Sequence, residues 1–196
     1  MTEPPGGAAA DGNEEIMRAT HRALRDHGYA DLTVQRIADE YGKSTAAIHY
    51  HYDTKEELLA AFLDHLLARF VDTIRDIETT DPDARLSLLL DELLAVPSET
   101  QGLSVALLEM RSQAPYNDAF REQFAQNDEY LRYVLKAVIN HGIDEGAFVT
   151  VDAERTARSL LSIVDGGRTR AVVFDDASEL ELARQVASEY VDATLR

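Results

Sequence analysis

The stretch Thr33–Leu59, TVQRIADEYGKSTAAIHYHYDTKEELL, constrains the fold more than any other part of this chain. It holds two helical patterns, Thr33–Tyr41 and Ser44–Tyr50, separated only by Gly42-Lys43. Neither can stand alone, because isolated helices shorter than about 12–15 residues are marginal in water. Both must be covered by neighbours. In the first, Val34, Ile37, Ala38 and Tyr41 fall on one face. In the second, Ala47 and Ile48 can turn inward, which leaves Thr45, Ala46, His49 and Tyr50 outward. The glycine between them permits the left-handed step that lets one helix end and the next begin. Two short helices joined by such a turn make a helix-turn-helix arrangement.

The rest of the chain reads as helix, with no sustained strand-like alternation. About nine helices are expected, so the fold class is all-α. Residues 1–12, rich in Pro, Gly and Ala, are expected to be a disordered tail. A first helix over about 13–27 carries Ile16, Ala19, Thr20, Ala23 and Leu24 on one stripe and stops at Gly28. A fourth opens at Thr54, where Thr-Lys-Glu-Glu has the form of a capping box, and carries Leu58, Leu59, Phe62, Leu66, Phe70 and Ile74. Asp81-Pro82 begins a fifth that ends before Pro97. Further helices are expected over about 99–114, 117–145 and 152–174. A last one starts at Ser178, in a second capping-box pattern, and runs to the end. The division expected is a tail, a helix-turn-helix domain over 13–60 and a larger helical domain over 61–196.

Charge excludes some functions and qualifies others. The chain carries 36 acidic and 19 basic residues, a net −17. Only Lys43, Lys55 and Lys136 are lysines, and an acidic, lysine-poor surface points to adaptation to high salt, where self-repulsion is screened. There is no cysteine, which excludes disulfides and thiolate metal sites and fits a reducing, cytoplasmic compartment. No secretory leader and no membrane span are expected. No nucleophile elbow, glycine-rich phosphate loop or His-x-x-x-His pair is present, so an enzyme is not expected. His49 and His51 lie two apart, the wrong spacing for one helix face, so no metal and no cofactor is expected. An acidic chain ordinarily argues against DNA binding. Between Thr33 and Lys55, however, three acids (Asp39, Glu40, Asp53) meet three bases (Arg36, Lys43, Lys55), so the segment is neutral. The second short helix can therefore be offered to a major groove.

These residues resemble the DNA-binding domain of the tetracycline-repressor (TetR) family. The likeness is carried by Gly28-Tyr29, Thr33, Ile37-Ala38, Gly42, Ser44, Ile48, Tyr50-His51-Tyr52 and Thr54-Lys55-Glu56-Glu57-Leu58, over about residues 13–60. His49, Lys43 and Ala46 depart from the usual pattern. The resemblance implies a double-stranded DNA operator as partner. It implies groove-facing roles for Gln35, Thr45, Ala46 and His49, phosphate contacts for Tyr50, His51 and Lys55, and a capping role for Thr33. Lys43 and Ser44 complete the expected contact set. Tyr52 is expected in the core.

The remainder resembles the helical C-terminal domain of the same family, and ALLEMRSQAPYNDAFREQF with DEGAFVTVDAERTARSLLSIVDGG is similar to its choline-responsive, BetI-like branch. No ligand is carried over by that likeness. It implies a homodimer and an unidentified small-molecule effector. Effector contacts are expected among Phe62, His65, Leu66, Leu107, Met110, Arg111, Tyr130, Val134 and Asp165. The last helix carries one apolar stripe and the eighth is apolar beyond one face, so a partner is expected on Leu160, Ile163, Val164, Val172, Leu180, Ala183, Val186, Ala187 and Tyr190. The function implied is a ligand-responsive repressor released from a pseudo-palindromic operator.

Overall fold

The computed structural model describes residues 7–76, 79–95 and 101–196, with side chains for 12–76, 79–95 and 102–196. Nine α-helices occur among the described residues: α1 Gly7–His27, α2 Val34–Tyr41, α3 Thr45–His49, α4 Lys55–Arg75, α5 Pro82–Leu94, α6 Gln101–Gln113, α7 Asp118–Asp144, α8 Ala153–Phe174 and α9 Ser178–Leu195. A 3-10 turn, Ala114–Tyr116, links α6 to α7. No strand occurs among them.

Local chemistry sets most boundaries. Thr33 caps α2 by accepting the Arg36 N–H at 3.2 Å. Asp81 caps α5 through the Asp83 N–H, with Pro82 at the first helical position. Asp152 caps α8 through the Arg155 N–H at 3.0 Å. Gly42 closes α2 at φ 71°, the left-handed conformation expected of it.

Three expectations fail. The tail does not reach residue 12, because α1 begins at Gly7: Ala8, Ala9 and Ala10 are the best helix formers and extend the helix backwards at little cost. Residues 1–6, and Pro97, lie outside the described residues. Ser178 does not cap α9. Its backbone N–H donates to Asp176 Oδ1 at 2.9 Å, so aspartate takes the role two residues earlier. At α4, Thr54 accepts the Glu57 N–H at 3.0 Å, but Glu57 reaches past Thr54 to the Asp53 N–H.

The chain packs as two compact units. The first comprises residues 1–67 and 97–124. Its core joins Ile16, Ala23 and Leu24 of α1, Ile37 of α2, Ile48 of α3, and Leu58, Leu59 and Phe62 of α4. Leu103, Ala106 and Met110 of α6 and Phe120 of α7 complete it. Packing therefore does not divide the chain at residue 60, where a domain boundary was expected; the middle of the chain supplies a wall of the first unit. Two contacts fasten it: the Tyr29 N–H donates to Glu109 Oε2 at 2.9 Å, and Gly102 lies against the Arg25 carbonyl. The second unit comprises residues 68–96 and 125–196. Leu86, Leu89, Leu90, Leu93 and Leu94 of α5 meet Leu135 and Ile139 of α7, Leu160 and Val164 of α8, and Ala183 and Ala187 of α9.

Candidate nucleic-acid interface

The short α3 is held from below by one residue. Ile48 is 1% exposed and drives into the first unit's core. Ala46, His49 and Tyr50 are exposed, Tyr50 at 85%. Thr45 is half-buried and so less outward than its position suggests. Tyr50 is thus a large aromatic left bare at the C-terminal end of α3. Ser44 precedes α3 with extended backbone and makes no side-chain capping bond, which leaves its exposed hydroxyl available to a ligand.

The neighbouring rings are ordered by their own contacts. Tyr50 and His51 meet edge to face at 5.1 Å between centroids. His49 Nδ1 lies 3.3 Å from the Tyr52 carbonyl. Tyr52 is half-buried against the core and donates its hydroxyl to Asn13 Oδ1, and burial raises its pKa above the ordinary phenol value. It is thus the packed aromatic it was expected to be.

The expected cationic contacts are less free than the sequence suggests. Lys43 Nζ donates to Glu15 Oε2 and to Tyr41 Oη, each at 3.0 Å, and lies 4.3 Å from the Tyr41 ring centre. The Tyr41 hydrogen bond and then the Glu15 carboxylate raise its pKa. Lys55 Nζ donates to the Leu32 carbonyl at 3.2 Å and sits 4.8 Å from the Tyr29 ring centre. Arg36 reaches the Asp31 carbonyl at 2.7 Å, and Gln35 bonds Asp39 at 2.8 Å. Thr33 keeps its capping role. Among the described residues, Lys43 of the three bases in the neutral segment meets a carboxylate, while Lys55 and Arg36 donate to backbone carbonyls. The acceptors of Lys43 and Lys55 lie 28 and 23 residues away. No local pattern announces such partners.

The other expected sites are only partly assembled. Among the effector candidates, Phe62 and Met110 are wholly buried in the first unit's core, with Leu66 and Leu107 packed partly against it. His65 stacks on Phe62 and lies 3.7 Å from Glu14, while Arg111 is exposed beside the Phe124 ring. Tyr130, Val134 and Asp165 belong to the second unit. Neither unit gathers the whole set. Among the dimer candidates, Leu160, Val164, Leu180, Ala183 and Ala187 are buried by their own unit and offer nothing to a partner. Ile163, Val172 and Tyr190 are partly covered, and Val186 is 40% exposed. The bare apolar side chains nearby are instead Val173, Phe174 and Leu182, at 59%, 57% and 54% exposure. Among the described residues no cluster of three His, Asp or Glu side chains is placed to hold a metal ion, and no helix is long and apolar enough to cross a membrane.

Two short helices joined at Gly42, the second seated on the core through Ile48, in a chain whose described elements are all helical, form a helix-turn-helix fold. Comparison narrows the class. Residues 16–62 match the family described as bacterial regulatory proteins, tetR family, and residues 82–196 match the BetI-type transcriptional repressor C-terminal family. The chain belongs to the TetR family of transcriptional regulators and is not an enzyme. A TetR transcription regulator from Haloarcula marismortui, known as a crystal structure, is 73% identical, with a TM-score of 0.90 over 95% of this chain and 100% of that one. The HTH-type transcriptional repressor AcnR of Corynebacterium glutamicum is 25% identical over 85% of each chain. A transcriptional regulator from Saccharomonospora viridis, solved in complex with choline, shares the fold at 21% identity and a TM-score of 0.81, covering 95% of this chain and 98% of that one.

Proposed function

We propose that this chain acts in the cytoplasm as a homodimeric repressor that a small-molecule effector releases from a pseudo-palindromic operator. The observation that carries the reading is the bare face of Ala46, His49 and Tyr50 at α3, seated on the core through Ile48 and flanked by the Ser44 hydroxyl. Two such helices about one turn of duplex apart read two half-sites. Base edges accept contacts from Ala46 and His49, while Ser44, Tyr50, His51 and Lys55 hold the backbone. The effector acts through its differing affinity for the DNA-bound and released arrangements, and a 100-fold release corresponds to about 2.7 kcal/mol of coupling. The acidic surface and the likeness to a Haloarcula regulator support operation at high salt.

The test is retardation of the DNA upstream of the protein's own coding sequence. Retardation is expected, and the paired change Tyr50→Ala and Lys55→Ala is expected to weaken it at least 10-fold, since phosphate-directed contacts of this kind sum over two heads. Undiminished retardation by the double variant removes the assignment of α3 as the reading helix.

The dimer reading rests on the exposed apolar side chains Val173, Phe174, Leu182 and Val186 on α8 and α9. Pairing across a two-fold axis covers such side chains in both copies at once. Light scattering at micromolar concentration is expected to give a dimer, and Phe174→Glu with Leu182→Glu a folded monomer. A monomeric wild type contradicts this part of the reading.

A further inference from the structure

Tyr52 faces two ways. Its carbonyl lies 3.3 Å from His49 Nδ1 of α3, and its hydroxyl donates to Asn13 Oδ1 on α1. Asn13 is thus joined through one residue to the end of the reading helix, although 39 positions separate it from Tyr52. Gly12, just before it, lies against the next ring of the cluster. A Cβ built there would stand 3.9 Å from His51 Nε2 and 3.8 Å from Tyr41 Oη. The early turns of α1 therefore border the Tyr50–His51 ring pair, a flank for which no motif in Thr33–Leu59 accounts.

An asparagine amide has an acceptor end and a donor end, and its neighbours decide which points where. With the Tyr52 proton on Oδ1, the orientation is set and the donor nitrogen is left over. Among the described residues no acceptor meets Asn13 Nδ2, and the side chain is exposed. The carboxylates beside it in the chain are engaged elsewhere, Glu14 with Arg18 at 3.2 Å and Glu15 with Lys43 at 3.0 Å. An oriented, unspent donor beside an imidazole at the edge of a reading helix suits an anionic oxygen.

Resting on the DNA-binding reading above, we propose that Asn13 is a further DNA-contact residue that donates from Nδ2 to a backbone phosphate beside His51, with Tyr52 as the residue that orients it. Asparagine is an ordinary phosphate donor. The contact has a property that cationic ones lack. Lys and Arg gain affinity by releasing condensed counterions, so their contribution falls steeply with salt. A neutral amide neutralises no phosphate charge and releases none. Its share of the affinity grows where that of Lys55 fades, which suits a chain of net charge −17.

The experiment uses the full-length protein and a fluorescein-labelled duplex about 30 base pairs long, enriched by the wild type from a random pool. Anisotropy is read from about 0.1 to 1 M potassium chloride. Asn13→Ala is expected to weaken binding about 10-fold over two heads and to leave the log–log salt slope unchanged. Further duplexes carry a methylphosphonate in place of one phosphate at a time. At one phosphate in each half-site, this replacement should weaken the wild type at least about 3-fold more than it weakens Asn13→Ala. Asn13→Asp keeps an acceptor for Tyr52 but loses the donor, and it should bind no better than Asn13→Ala. Wild-type affinity in Asn13→Asp, or the same methylphosphonate profile in the wild type and Asn13→Ala, shows that Asn13 only props Tyr52, and overturns the proposal. So does an unchanged affinity in Asn13→Ala. If the wild type enriches no duplex, the DNA-binding reading itself falls, and this inference with it.

Discussion

Phe62→Ala is expected to cost the first unit about 3–5 kcal/mol, a large share of the roughly 5–15 kcal/mol by which domains are stable. The side chain is 0% exposed and stands where α1, α4 and α6 converge. Its ring meets His21 edge on at 6.4 Å and is stacked by His65 at 6.5 Å. Removing it leaves a cavity that helices tied by so many other contacts cannot close. The measurement is a chemical denaturation midpoint at fixed salt and protein concentration, since both shift apparent stability. Tyr133→Ala, at a ring 67% exposed, is the control and should stay within about 0.5 kcal/mol. A Phe62→Ala midpoint as mild as the control contradicts the core described above. A residue expected to line an effector cavity would then be free to do so.

Adjacent glycines in α8 are expected to answer the same substitution with opposite signs. A Cβ on Gly167 would lie 2.3 Å from the Ala183 Cβ of α9, closer than two carbons can approach. Gly167→Ala must push α8 and α9 apart, which costs about 1–3 kcal/mol. Nothing lies within 4 Å of the corresponding point on Gly166. There the alanine relieves a mid-helix glycine and should stabilise by up to about 1 kcal/mol. Paired thermal melts at one protein concentration separate the two. If both variants lose stability alike, close approach at Gly167 is not what sets the α8–α9 spacing.

Sequence and structure agree at most boundaries whose cause is local and part company chiefly where the cause is distant. Thr33, Gly42, Asp81 and Asp152 end or begin helices through bonds to residues at most four positions away, and each boundary falls within a residue of its expected place. Ile48 could be placed inward, and Ala46, His49 and Tyr50 outward, from helical spacing alone. Apart from the α1 start, which the helix propensity of Ala8, Ala9 and Ala10 extends, the failures are questions of which neighbour. An apolar stripe says that something covers Leu160, Val164 and Ala187, but not whether it is this chain or a second copy; here the chain's own α5 and α7 contribute to their cover. Lys43 and Glu15 are 28 residues apart, and Tyr29 and Glu109 are 80 apart. Periodicity carries no information about either pair. The α9 start shows the same limit at short range, because Asp176 competes with Ser178 for one role and the pattern cannot say which wins.

The wall that α6 contributes bears on how regulators of this build can be recombined. Leu103, Ala106, Met110 and Phe120 sit among the residues that support α3, although some forty or more positions separate them from the end of the helix-turn-helix segment. A chimera cut after the fourth helix would carry a DNA-reading module with an open flank onto a foreign body. Transplanting specificity in this scaffold therefore calls for a two-segment graft, or for exchange of the exposed α3 side chains alone.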